Sequence, residues 1–404
     1  MNRHPVFITG SPEGIPACAG MTSMNRDSML EDLTAIPHYL FSFVIVLSVI
    51  VFVHEFGHYL AARLCGVKVE MFSIGFGREI FGFTDQAQTR WKISILPLGG
   101  YVKMFGDASA ASAPNIDKIE HMNDAEKRIS FHHQPLGNKA IIVAAGPLAN
   151  FILTITVFTF FIFTTGLMST EPVIGGILKD SPAAQAELKK GDRIIQVDDE
   201  KINRFNDIAD YMITNLGDDV RVIIERDGQR IEKTITPRTF EEKDATGNTI
   251  KRPLIGIRSQ KIVYENVDIG TALWEATKRT YGLCTASLKV MGQMISGDRS
   301  TDELKGPVGI AKLSGDITQQ GDTLSETVRV TLWFIALLSA NLGLVNLFPV
   351  PVLDGGHLTY YALEALRGRP MAERFQEIGY RFGIALVATL MAFTLFNDIK
   401  QLFL

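Results

Sequence analysis

Residues Tyr39 to Val53 read YLFSFVIVLSVIVFV, without an acidic or basic side chain, and run straight into His54-Glu55-Phe56-Gly57-His58. An apolar stretch of this length, continued through the motif, is long enough to cross a bilayer. A carboxylate is out of place there. Even low estimates for an acidic residue at mid-membrane are about 2.5–3.5 kcal/mol, so ionisable groups in a span face a polar cavity and take part in chemistry.

The spacing says which chemistry. Residues four apart on a helix stack one turn above the other, so His54 and His58 can offer imidazole nitrogens to one metal ion. Glu55, rotated about 100° from His54, lies beside that ion instead of binding it. This is the H-E-x-x-H arrangement, in which two His hold zinc and the Glu is the general base toward water. The same letters also fit a helix end at the membrane interface with its polar groups simply in water, and a distant third ligand separates the two readings. Leu342 to Leu358, LGLVNLFPVPVLDGGHL, supplies one: an apolar span interrupted by Asn346, Pro349, Pro351 and Asp354. Paired prolines break a helix, and broken backbone at membrane depth is tolerated only where it is buried in protein or lines a water-filled cavity. Asp354, just past the break, is placed to complete three protein ligands and leave the fourth zinc position to water.

HEFGH in a first span and NLFPVPVLDGGH in a late one resemble the site-2 protease family of intramembrane zinc metalloproteases, peptidase M50. The nearest likeness is to its branch that regulates sigma-E. Further matches are AAGPLANF at Ala144–Phe151, SIGFG at Ser73–Gly77 and PLGGYVKM at Pro97–Met104, so the resemblance runs from about Leu30 to the C-terminus. It implies His54, His58 and Asp354 as ligands of one Zn2+ per chain, Glu55 as catalytic base and Asn346 as a substrate-side amide. It also implies a membrane-dipping β-loop around Gly75, Phe76 and Gly77 whose exposed edge pairs with substrate. Such pairing has a physical rationale, since a transmembrane substrate hides its peptide bonds inside a helix and an extended segment needs new backbone partners.

The rest of the chain fits that frame. With 404 residues, 46% hydrophobic and a net charge of −4, it has the composition of a few spans plus a soluble part, and nothing suggests nucleic acid. Cys18, Cys65 and Cys284 are odd in number and scattered, making neither a disulfide framework nor a cysteine zinc site. Residues 1–29 read as a disordered N-terminal extension without the apolar core of a secretory signal, and Met24 or Met29 as the true start. Residues 30–62 form span 1. Residues 63–138 form a basic loop, cytoplasmic by the positive-inside tendency, with short strands over Val67–Phe83 and Trp91–Val102. Ala108–Gln134 reads as a linker or surface helix. Residues 139–167 are span 2, where Gly146 and Pro147 read as close helix packing and Asn150 is left open.

From residue 168 to 260 the character is soluble α/β. SPAAQAELKKGDRIIQVD resembles a PDZ domain, a helix follows at IADYMITNL, and Asp227-Gly228 between two strand-like runs is a hairpin signal. Ile255, Gly256 and Ile257 resemble the PDZ carboxylate-binding strand in permuted order. Residues 261–327 contain an amphipathic helix read as lying on the membrane, and GPVGIAKLSG at Gly306–Gly315 reads as a compact loop. Span 3 with the Asp motif covers 328–358, and a cytoplasmic loop with span 4 covers 359–404. Asn341 and Asn346, five apart, do not share a helical face, and Asn341 reads as glue between helices.

The expected fold is therefore a polytopic α-helical membrane protein of four spans, with a membrane-associated β-hairpin and one inserted extracytoplasmic PDZ domain. Parity places both termini and the PDZ domain outside and the active site toward the cytoplasmic side of a bacterial inner membrane. The expected function is regulated intramembrane proteolysis of single-span proteins. The family implies anti-sigma factors or signal-peptide remnants as substrates, with the PDZ domain binding a peptide or substrate C-terminus or acting as a size filter. A membrane-anchored zinc protease for soluble or misfolded chains, and a noncatalytic PDZ-bearing scaffold, are the alternatives.

Overall fold

The computed structural model describes residues 26–107, 119–214, 219–243, 249–259, 262–297, 301, 304–319, 321, 323–369 and 371–403, with side chains at the N-terminal end placed from Ile36 onward. Two compact units emerge: residues 24–160 together with 269–404, and residues 161–268.

In the first unit, helix α1 (Arg26–Leu64) is followed by strands β1 (Val69–Thr84) and β2 (Arg90–Met104), the short helix α2 (Asp124–Ile129) and helix α3 (Leu136–Thr165). Among the described residues, four helices are long and apolar enough to cross a membrane, over Ile36–Leu64, Leu136–Thr165, Leu324–Asn346 and Arg374–Gln401. Their outer faces leave large apolar side chains uncovered, Phe41, Ile152, Phe382 and Phe396 among them, which suits a helix surrounded by lipid. The protein is an integral membrane protein. Helix α1 starts at Arg26, so the expected boundary of the extension at residue 29 falls inside a helix; residues 1–25 lie outside the described ones.

β1 and β2 are long strands that fold back on each other. Met71–Ile74 pairs on one side with Arg90–Ile93 and on the other with Gly100–Lys103, and Phe81–Thr84 pairs with Arg90–Ile93. Four segments thus lie side by side, with Met71–Ile74 inside. This corrects the expectation of an exposed edge at Ile74, which is paired on both sides; Gly75 is buried against the Leu96 carbonyl and Phe76 pairs with Leu96, while Gly77 lies exposed. Among the described residues the outer segments are Phe81–Thr84 and Gly100–Lys103. Val69, Phe72, Val102 and Met104 pack with Ala62 of α1 and Ile142 of α3 in one buried cluster, which fixes the sheet to the end of α1 that carries the motif.

After the inserted unit come five more helices among the described residues. The strands and helices of that unit take the labels β3–β12, α4 and α5, so these are α6 (Ile269–Ser296), α7 (Pro307–Gln319), α8 (Leu324–Asn346) and α9 (Asp354–Arg367), followed by α10 (Glu373–Phe403). α6 buries small residues, Ala272, Ala276 and Thr280, and leaves Leu273, Trp274 and Tyr281 exposed. Its Ser287 hydroxyl donates to Asn341 Oδ1 of α8 at 2.8 Å, which is the helix-to-helix contact expected of that asparagine. The GPVGIAKLSG loop is corrected to a helix. Its first turn is capped from far away in the chain, the buried Asp398 carboxylate accepting from the Gly306 and Gly309 amides, and Gly315 leaves room for the Tyr39 ring.

The second unit is built on the sheet β6-β5-β7-β8, made of Glu200–Lys201, Arg193–Val197, Val220–Arg226 and Gln229–Ile235. Asp227 and Gly228 both take positive φ between β7 and β8, 50° and 77°, as a two-residue hairpin turn of this hand requires. Further antiparallel pairs are β4 (Ile174–Ile177) with β11 (Ile257–Ser259), β3 (Leu167–Thr170) with β12 (Ile262–Glu265), and β9 (Arg238–Lys243) with β10 (Thr249–Leu254). Ile174, Ile194, Val222, Ile224 and Ile255 meet Ile208 and Met212 of α5 (Phe205–Thr214) in its core, and Ser181 caps the short α4 (Pro182–Gln185). Of the expected carboxylate-binding strand, only Ile257 lies in β11. Ile255 and Gly256 link β10 to it, with the Ile255 side chain in the core, Gly256 at φ +81°, and their carbonyls accepting from the Ala183 and Leu178 amides.

Candidate metal centre

α1 brings His54 and His58 to its inner face, both under 10% exposed, at 8% and 9%. α8 ends at Asn346, the segment 347–353 is irregular around Pro349 and Pro351, and α9 starts at Asp354. Gly355 and Gly356 make this break compact. A side chain at either would lie 2.2 Å from the Leu347 or Val350 carbonyl.

The fold then closes a sequence gap of 300 residues. His54 Nε2 and His58 Nε2 are 3.2 Å apart, Asp354 Oδ2 is 3.2 Å from the first and 3.5 Å from the second, and among the described residues these three are the group able to hold a metal. Asp354 Oδ2 is buried without a hydrogen-bond partner. Zinc–nitrogen distances near 2.0–2.1 Å at tetrahedral angles put neighbouring ligand atoms about 3.3–3.4 Å apart, so the three atoms stand at the separations that a shared ion would set. Two neutral imidazoles and one carboxylate are a familiar donor set for zinc. The residues present fit the ion.

The surroundings orient the rings. His58 Nδ1–H donates to the Ile142 carbonyl at 2.9 Å, which leaves Nε2 its lone pair. Asn150, fully buried on α3, places its amide 3.2 Å from His54 Nδ1, and Asn346 Nδ2 is 3.5 Å from His54 Nε2. Gly146 is part of this wall, because a Cβ there would sit 2.3 Å from His58 Nε2 and 2.9 Å from His54 Cε1. The packing role read for Gly146 is thus narrower than its place in the fold, since what it packs against is the site itself. Gly146 and Asn150 are four apart, on one face of α3, a relation the sequence shows without saying what that face meets.

Glu55 is half-buried and within electrostatic reach of His54, His58 and Asp354. Gly100 of β2 faces it closely, a Cβ at that position falling 3.0 Å from Glu55 Cγ and 2.8 Å from Val51. Phe76 stacks on Tyr101, ring centroids 5.9 Å apart, while Gly77 lies exposed further along β1. The segment one in from the Gly100–Lys103 edge that borders Glu55 is Met71–Ile74; Gly75, Phe76 and Gly77 follow it, with Phe76 paired to Leu96. Ile255, Gly256 and Ile257 belong to the other unit.

An H-E-x-x-H helix facing a carboxylate from a broken helix, inside a bundle of membrane-length helices, defines a zinc metalloprotease. Residues 42–390 match the family model for Peptidase family M50, and the chain belongs to that family, the site-2 proteases. It is 39% identical over 368 residues to a protein of Agrobacterium fabrum named "putative zinc metalloprotease", covering 90% of this chain and 96% of that one. It is 36% identical over 379 residues to metalloprotease MmpA of Caulobacter vibrioides, covering 90% and 95%. Among solved structures, the PDZ domain of the SdrC-like protein of Listeria innocua aligns with 24% of this chain and 99% of its own length, at 23% identity and a TM-score of 0.19.

Proposed function

We propose that this zinc metalloprotease cuts peptide bonds in or near the transmembrane segment of single-span membrane proteins, with His54, His58 and Asp354 holding one zinc ion and Glu55 as catalytic base. One observation carries the reading. Three ligand atoms from helices α1 and α9 converge within 4.8 Å of one another at the end of an apolar span, beside a helix broken at Pro349 and Pro351.

An ion held by His54, His58 and Asp354 would supply Lewis acidity, making water more acidic and the scissile carbonyl more electrophilic. Glu55 takes the proton of the attacking water and hands it to the leaving nitrogen. Asn346, next to His54, directs its amide N–H at the carbonyl oxygen as charge develops on it. The Gly100–Lys103 edge bordering Glu55 is the place for an extended substrate strand, with the Gly75-Phe76-Gly77 bend beside it, where Phe76 stacks on Tyr101. The wall of Gly146, Asn150 and the apolar helices keeps the local dielectric low, which strengthens each of these interactions. The inserted unit takes the PDZ role, with the link and strand at Ile255-Gly256-Ile257 receiving a peptide or substrate C-terminus or limiting substrate size. The protein sits in the inner membrane of a bacterium with that unit outside and the zinc site toward the cytoplasmic half.

The test is cleavage of a model single-span substrate by purified wild type and by Glu55→Gln, with the cut mapped by mass spectrometry. Wild type should cut inside or at the edge of the span, and Glu55→Gln should not cut. Cleavage confined to soluble casein, or equal cutting by both proteins, sinks the proposal.

A further inference from the structure

The two imidazoles of the site are not held alike. His58 has a backbone carbonyl opposite Nδ1, which fixes its proton there. His54 has the Asn150 side-chain amide opposite Nδ1, at 3.2 Å through Nδ2, while Asn150 Oδ1 is buried without a partner. With the NH2 group facing Nδ1, the ring nitrogen must accept, its proton moves to Nε2, and Nε2 can no longer offer a lone pair to a metal. A half-turn of the amide about its last side-chain torsion exchanges nitrogen and oxygen at almost unchanged shape. Oδ1 then accepts from His54 Nδ1–H and Nε2 is free to ligate. The second amide atom lies buried in either orientation, so the choice between the two falls to the metal.

We infer that Asn150 is the positioning residue for His54: its side-chain carbonyl accepts the Nδ1 proton and so commits Nε2 to the zinc. The backbone holds it for this. The Asn150 carbonyl accepts from the Thr154 hydroxyl at 3.0 Å and from the Ser339 hydroxyl of α8 at 3.0 Å, and Thr154 also donates to the Ala336 carbonyl at 2.9 Å. These bonds tie α3 to α8 at the level of the site and do not depend on the side chain at 150. Partners of this kind are worth about 10–100-fold in metal affinity. The inference rests on the reading of His54 as a zinc ligand, and its test separates the two.

Zinc affinity is measured by chelator competition on full-length protein in detergent, for wild type, His54→Ala, Asn150→Leu and Asn150→Asp. An aspartate oxygen accepts the same proton, and leucine fills the space without an acceptor. His54→Ala should lose tight binding, Asn150→Leu should weaken it about 10–100-fold, and Asn150→Asp should restore it to within about threefold of wild type, a small part of that range. Where the leucine variant does not purify, Asn150→Ala takes its place with the same expectation. Unchanged affinity in His54→Ala overturns the ligand reading itself. Loss in His54→Ala with wild-type affinity in Asn150→Leu overturns only the role given to Asn150. Equal loss in Asn150→Leu and Asn150→Asp also overturns it, since the side chain would then act through volume and not through its acceptor.

Discussion

Asp354 in the membrane unit and Asp192 in the inserted unit are both largely buried carboxylates, with opposite surroundings. Asp192 is satisfied on every side: Arg226 donates from Nε to Oδ1 and from Nη2 to Oδ2, each at 2.7 Å, and the Lys189 amide donates to Oδ2 at 2.7 Å. Asp354 Oδ2 has no hydrogen bond and points between two imidazole nitrogens. A buried polar atom without a partner costs about 1–3 kcal/mol or more when charged. The fold avoids that cost at Asp192 and accepts it at Asp354. The first carboxylate belongs to the architecture, and the second is kept open for a ligand.

The contrast can be broken most forcefully at the reacting groups. Glu55→Gln should lower the rate of peptide cleavage by at least about 10²–10⁴-fold, the usual share of a general base, while zinc content stays at the wild-type level. Loss of zinc together with activity would mean that Glu55 holds the site together and does not act on water.

Next in size is the inserted unit. Burial alone would raise the Asp192 carboxyl, but the hydrogen bonds from Arg226 and the Lys189 amide outweigh it and hold the group below the ordinary carboxylate range. A group that is a stronger acid when folded binds fewer protons than in the unfolded chain. Its contribution is complete above the unfolded value near 4 and is lost as the pH falls through the lower folded value. Removing these hydrogen bonds with Asp192→Ala should destabilise this unit by roughly 1–3 kcal/mol, since the Arg226 left behind is partly open to solvent. Hydrogen exchange of the full-length protein, corrected for its intrinsic pH dependence, should show faster opening of β5 and β7 and a weaker acid sensitivity there. The zinc content should not change. Zinc loss in this variant would erase the distinction between the two aspartates.

Gly146→Ala tests the wall of the metal site. Its methyl would lie 2.3 Å from His58 Nε2, and overpacking of this kind costs about 1–3 kcal/mol. Zinc affinity should fall while the inserted unit exchanges as before; wild-type affinity would show that the imidazoles have room to move. The smallest expected effect is Ser287→Ala, which removes the hydroxyl that reaches Asn341. Side-chain bonds between membrane helices are worth about 0.6 kcal/mol on average, so a shift in thermal stability of no more than a few degrees should follow, with zinc and cleavage intact.

These expectations also mark what was legible before the fold was known. His54, Glu55, His58 and the broken span around Asp354 could be read because chemistry that opposes lipid stands out in apolar sequence. The Asp227-Gly228 hairpin could be read because its φ angles demand those residues. What stayed hidden depends on partners distant in the chain. Asn150 could not be assigned without knowing that α3 turns that face toward α1. The helix at Pro307–Gln319 looked like a loop because Asp398, its cap, comes from α10. The expected free edge at Ile74 disappeared because β2 supplies neighbours on both sides of it, which a strand-by-strand reading does not anticipate.

The most direct measurement is the zinc content of detergent-purified wild type and Asp354→Ala after dialysis against a mild chelator. About one zinc per chain in wild type and little or none in Asp354→Ala is the result expected when α9 closes the site. Equal zinc in both proteins would contradict it.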